Sequence, residues 1–133
     1  MALRWYSTVV DCRDVRKQAA WWAEALDWQA IHESDDECVI IPSWVDQKVI
    51  QETPWERIGA GLVFVSVPEG KTVKNRLHID LAPHTSQDRD AEITRLERLG
   101  ARRVNVGQGD DVSWTVLADP EGNEFCVLSS RPF

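Results

Sequence analysis

The sequence has no C-x-x-C pair, no apolar run approaching the roughly 20 residues that span a bilayer, and too few basic residues to balance its acids. Its three cysteines, Cys12, Cys38 and Cys126, are odd in number and far apart. That spacing argues against both a disulfide framework and a zinc knuckle, and free thiols are expected. The opening stretch MALRWYSTVV lacks the apolar segment of a secretory signal, so a cytoplasmic protein is expected. A total of 15 Lys plus Arg against 22 Asp plus Glu leaves a net charge of -7, which speaks against nucleic acid or an anionic membrane surface as the partner. Low-complexity segments are missing, and the one linker-like stretch is PEGKTVKN, Pro68 to Asn75. The 133 residues, 43% of them hydrophobic, suffice for a single domain, 1–133, with a real core.

The chain reads as two copies of one element order. Thr8 to Cys12 is a short β-branched strand, and Asp14 is placed to cap the helix that follows. In that helix Val15, Ala19, Trp22 and Leu26 form one apolar stripe. The runs WQAIHE and ECVIIP are strands joined by Ser34-Asp35-Asp36; a loop with Trp44, Pro54 and Trp55 leads to the strand GLVFVSVP. The second half repeats the pattern: a strand RLHIDLAP, then a helix through TSQDRDAEITRLERLGA with Ile93, Leu96 and Gly100 on one face. Three more strands follow in ARRVNV, VSWTVLA and EFCVLSS. In the turn DPEGN, Pro120 fixes φ and Gly122 tolerates φ > 0. The reading is therefore α+β, with two βαβββ modules at about 5–67 and 75–130.

This order resembles the vicinal oxygen chelate superfamily, in its glyoxalase-like and bleomycin-resistance branch. The residues that carry the likeness are WWAEALDW, KNRLHIDL, LERLGA and above all LADPEGNEFCVL; Asp27 stands where WWAEALDW would usually have glycine. The resemblance implies that each module curls into half of an incomplete barrel, with the ligand or metal in a concave groove between the halves. It also implies four metal-ligand positions, on the first and last strand of each module. In this chain they fall at about Ser7, at Phe64, Val65 or Ser66, at His78, and at Cys126 where a glutamate is usual. One strong ligand survives, whereas a catalytic divalent ion needs about three protein donors. No metal cofactor is therefore expected, and a standard glyoxalase I is not indicated. A His78 and Cys126 pair could take Zn²⁺ or Cu⁺ only with help from Asp80 or Asp11.

The strand pattern itself places His78 and Asp80 on one face. Two readings stay open: a structural histidine that Asp80 orients only indirectly, or two polar anchors lining a pocket. Candidate ligand-binding residues are His78, Asp80, Ser7, Asp11, Cys126, Trp114 and Arg76, with no catalytic residue assigned. Lys71 reads as solvated loop, Asn75 and Arg76 as mixed in role, and His32 and His84 as solvent-facing or locally satisfied. Seven tryptophans are many for this length. Trp44, Trp55 and Trp114 are placed to line a groove, while Trp21 and Trp28, if exposed, would suggest a homodimer. The function expected is a binding protein for a small, partly aromatic molecule without the full metal site. The alternative is a metal-dependent or acid/base lyase, isomerase or dioxygenase-like enzyme using His78, and a third option is an interaction module.

Overall fold

A computed structural model describes residues 3–133. The chain forms two compact units, one running to Gly70 and the other spanning Lys71–Phe133. In the first, strand β1 (Ser7–Cys12) leads into helix α1 (Val15–Leu26), then β2 (Trp28–Glu33), β3 (Glu37–Pro42), α2 (Gln47–Glu52), a 3-10 turn (Trp55–Arg57) and β4 (Gly61–Ser66). The second contains β5 (Ile79–Leu81), α3 (Arg89–Leu99), β6 (Arg102–Arg103), β7 (Thr115–Ala118) and β8 (Glu124–Val127). Each builds a four-stranded sheet of the same topology, in the order β1-β4-β3-β2 and β5-β8-β7-β6. The first strand of each unit pairs in parallel with its last. This is the α+β, two-module arrangement anticipated from the element order.

Aspartate side chains start all three α-helices. Asp14, Asp46 and Asp88 each accept a hydrogen bond from a backbone N–H three residues on, satisfying a donor that the first turn cannot. At the other end of α1, Asp27 takes a left-handed conformation, φ 55° and ψ 47°, and its N–H reaches the carbonyls of Ala23 and Glu24. That is the conformation glycine adopts most cheaply. Gly100 closes α3 at φ 125°.

In the first unit α1 packs on β2, β3 and β4. Cys12, Val15, Ala19, Trp22, Cys38, Ile40, Leu62 and Phe64 are buried in its core. Trp21 and Trp22 meet edge to face, ring centroids 5.1 Å apart. In the second unit Ile93, Leu96, Leu117, Phe125 and Val127 are buried. No helix among the described residues is long and apolar enough to cross a membrane.

Several expectations need correction. The segment after β3 is not all loop: α2 occupies Gln47–Glu52, and because none of its residues is buried, it left no apolar stripe to read. The opening strand of the second unit is only Ile79–Leu81, with Leu77 88% exposed ahead of it. The ARRVNV strand shrinks to Arg102–Arg103, and Trp114 precedes β7 instead of lying in it. Trp21 is buried and does not offer the exposed stripe on which self-association was expected, while Trp28 is half-buried.

Replacing Asp27 by glycine removes the side-chain cost of the left-handed conformation while keeping the backbone cap. The Asp27→Gly protein is expected to be more stable by about 0.5–1 kcal/mol. Urea unfolding checks this, and a loss of stability would mean that the Asp27 side chain contributes more than its backbone strain costs.

Candidate functional site on the second sheet

The parallel pairing of β5 with β8 sets Asp80 opposite Cys126, and the antiparallel pairing of β8 with β7 sets Cys126 opposite Val116. Since successive side chains alternate across a sheet, these three share one face, opposite that of Phe125 and Leu117. His78 lies two residues before Asp80. Its Nε2 is 3.3 Å from Asp80 Oδ1, with side-chain exposures of 44% and 46%. The imidazole and carboxylate are thus in direct contact, closer than the indirect orientation expected from their i, i+2 spacing. Cys126 completes the group: ligand atoms of His78, Asp80 and Cys126 all lie within 4.8 Å of one another.

The thiol is buried while the other two members are open to solvent. Burial pushes the Cys126 thiol up, and the charge of Asp80 and a hydrogen bond to its carboxylate add to that effect; Lys74 acts in the opposite direction. Cys126 therefore sits as a neutral donor to Asp80. Asp80 accepts from the thiol on one side and faces the imidazole on the other. No hydrogen bond engages His78 Nδ1 among the described residues.

Further along the same face of β8 stands Glu124. It accepts from Lys71 Nζ at 2.8 Å and from the backbone N–H of Asn75 at 3.0 Å, while Asn75 Nδ2 donates to Asn123 Oδ1 at 3.1 Å. Burial alone would raise the Glu124 carboxyl, but the Lys71 hydrogen bond and the backbone N–H outweigh it and hold the group below its ordinary range. Lys71 is accordingly not the solvated loop residue expected: its side chain is 20% exposed and pairs with one that is 13% exposed. This clamp ties the segment leading to His78 onto β8. The DPEGN turn that feeds β8 is organised by Asp119, which is buried and whose Oδ1 accepts from the N–H groups of Glu121 and Asn123.

Arg89 was overlooked in the sequence. Its guanidinium donates to the carbonyls of Leu128 and Val127 and to Thr115 Oγ1, each at 2.9 Å, tying the ends of β7 and β8 to α3. A cation in the first turn of a helix opposes the helix dipole, and that mismatch was the available signal.

The remaining candidates fall elsewhere. Ser7 and Asp11 lie on β1 in the first unit. Arg76 is exposed, and among the described residues no hydrogen bond or ion pair joins it to the cluster. Trp114 is 40% exposed just ahead of β7. Trp44 is exposed, and Trp55 stacks with Tyr6 beneath the Arg4 guanidinium, which lies 4.8 Å from the Trp55 ring. His32 is exposed on β2. His84 is locally satisfied by Ser86 Oγ at 2.7 Å and the Pro132 carbonyl at 3.1 Å.

A glyoxalase-like family model matches residues 7–128. The chain belongs to the glyoxalase-like domain family. Solved structures agree on the fold. A glyoxalase/bleomycin resistance protein/dioxygenase family enzyme from Burkholderia phytofirmans PsJN superposes with TM-score 0.67 at 15% identity, covering 97% of this chain and 100% of its own. The fosfomycin resistance protein FosX of Listeria monocytogenes, complexed with Mn(II) and sulfate, gives TM-score 0.68 at 12% identity over 98% of this chain and 93% of its own. The oxidase ChaP-H2 gives 0.62 at 17% identity over 100% and 97%. No functionally curated protein matches this chain in sequence. Such distant likeness shows the vicinal oxygen chelate fold, and leaves the chemistry to be read from this glyoxalase-like domain's own residues.

The four-donor set that the fold family implies does not fit these residues. Ser7 offers a hydroxyl where an imidazole is needed, on β4 Phe64 is buried and apolar, Val65 has no donor and Ser66 has only a hydroxyl where a carboxylate or Gln is usual, and Cys126 substitutes a thiol for a carboxylate. Hard ions favour oxygen donors over such a set.

The Glu124 clamp gives a pH test. A carboxyl held below its unfolded value contributes stability that is present above that value and lost as the pH falls through the folded one. Glu124→Gln is expected to cost about 1–2 kcal/mol at pH 7, with the gap closing below about pH 4. Denaturant unfolding of both proteins across pH measures it; a gap that is constant with pH would contradict the clamp.

Proposed function

We propose that this glyoxalase-like domain binds a small, partly aromatic organic molecule, anchored by His78, Asp80 and Cys126, without the full four-donor metal set of its superfamily. The observation that carries the reading is the contact of His78 with Asp80, half-exposed yet only 3.3 Å apart, backed by a buried thiol that donates to the same carboxylate. A prearranged polar group with one face open suits the few convergent anchors typical of ligand sites. Trp114, exposed ahead of the strand that carries Val116, supplies aromatic surface in the same unit. The net charge of -7 supports a partner other than nucleic acid.

The same contact favours a second reading, an acid/base enzyme. An imidazole held against a carboxylate has a fixed tautomer and orientation, which is what proton transfer to or from a bound substrate requires. The two readings separate on whether the bound molecule is returned unchanged.

Chelator-treated protein screened by tryptophan fluorescence against a panel of aromatic acids, phenols and amines is expected to yield at least one saturable binder. His78→Ala and Asp80→Asn should each weaken it by about tenfold, the equivalent of about 1.4 kcal/mol, with Trp114→Phe reporting whether that indole gives the signal. Binding indifferent to both anchor substitutions would remove the cluster from the function. Conversion of the binder to product, lost with His78→Ala, would favour the enzyme.

A further inference from the structure

The first unit holds a recess of its own, built from side chains between Arg16 and Cys38. It is a cleft of about 510 Å³ where α1 meets β2, the edge strand of its sheet. Small side chains leave the space open: Ala23 follows Ala19 and Ala20 of α1 by four and three residues, on one helix face, and Ala30 of β2 joins them. Trp28, half-buried, adds an indole to the lining. Clefts of roughly 300–1,000 Å³ with aromatic walls are typical of sites for small organic molecules. The charge around this one is one-sided. Arg16 is already engaged, by Asp35 at 2.8 Å and Glu33 at 3.8 Å, which leaves the carboxylates of Glu24 and Asp27 to set the sign. We infer that this cleft binds a small organic cation, an alkyl- or arylammonium, with its charge beside Asp27 and its apolar body on the alanines against Trp28.

Asp27 carries the most weight. It holds a left-handed conformation, φ 55°, that glycine would adopt at lower cost, and among the described residues no other non-glycine has a positive φ. Its backbone N–H makes the helix cap, a role independent of the side chain. No hydrogen bond or ion pair engages its carboxylate among the described residues. The side chain is thus kept at a cost to stability with no polar contact in return, the pattern expected of a residue retained for function. An ammonium group suits that carboxylate and the neighbouring indole together, since the face of the ring attracts cations and Asp27 supplies the opposite charge. A metal ion does not suit: among the described residues, the acids lining this cleft form no group close enough to ligate one. The cleft lies wholly in the first unit, so it stands or falls apart from the reading of the His78 cluster in the second.

The test titrates the whole isotope-labelled chain with benzyltrimethylammonium, and separately with benzyl alcohol and phenylacetate at matched ionic strength, followed by NMR. Expected is a saturable shift of the Trp28 indole N–H, assigned by its loss in Trp28→Phe, and of the Ala20 and Ala23 amides. Benzyl alcohol should bind more weakly than the ammonium by about fivefold, and phenylacetate by about tenfold or more. Ala20→Leu fills the cleft from an exposed position and should weaken the ammonium by about tenfold. Asp27→Asn, which tolerates the same backbone conformation, should weaken it by about threefold or more. Asp27→Gly should lose the same affinity while gaining stability. Amide spectra of the free variants confirm that they are folded. No saturable shift, shifts confined to the second unit, phenylacetate bound as tightly as the ammonium, shifts that survive Ala20→Leu, or an affinity indifferent to Asp27→Asn would each overturn the inference.

Discussion

The site depends on one register. Because β5 pairs in parallel with β8, Asp80 stands opposite Cys126; alternation along β8 puts Glu124 on that same face, and His78, just ahead of β5, meets Asp80 directly. Shifting either strand by one residue would swap Cys126 for Phe125 beside Asp80 and dissolve the cluster. What holds the register is ordinary burial on the opposite face, where Phe125, Leu117 and Val127 are almost fully enclosed. Those apolar residues make a slip expensive, and the polar chemistry inherits its precision from them.

Around that pairing, local polar devices position the ends of the strands. The Asp119 turn delivers the chain into β8, the Lys71–Glu124 clamp brings in the segment that precedes His78, and Arg89 gathers the exits of β7 and β8. Each satisfies groups that would otherwise be buried without partners, a far costlier situation than the modest net gain of one hydrogen bond suggests. A buried neutral thiol beside an open imidazole and carboxylate is the result. That combination differs from the oxygen- and imidazole-rich set expected of the superfamily.

Local signals were legible and long-range ones were not. Asp14 as a cap, Gly100 and Gly122 in positive-φ positions, the DPEGN turn and the period-2 placement of His78 with Asp80 depend on residues within a few positions of one another. Even the unusual Asp27 was visible as a residue in a glycine's place, and its φ of 55° explains why glycine is usual there. The fold followed from the repeated element order. By contrast, the Lys71–Glu124 pair spans 53 positions and the Arg89 contacts 26 to 39, so no periodicity announces them. The meeting of Cys126 with Asp80 required strand register, which the sequence pattern left open to a one-residue error. Helix α2 escaped notice because it buries nothing.

The most direct test of the connected cluster is the imidazole nitrogen and ring-proton NMR spectrum of wild type and Asp80→Asn, since the chain has just three histidines. The account predicts that the His78 signals shift in chemical shift and tautomer pattern while His32 and His84 stay in place. Unchanged His78 signals would contradict it.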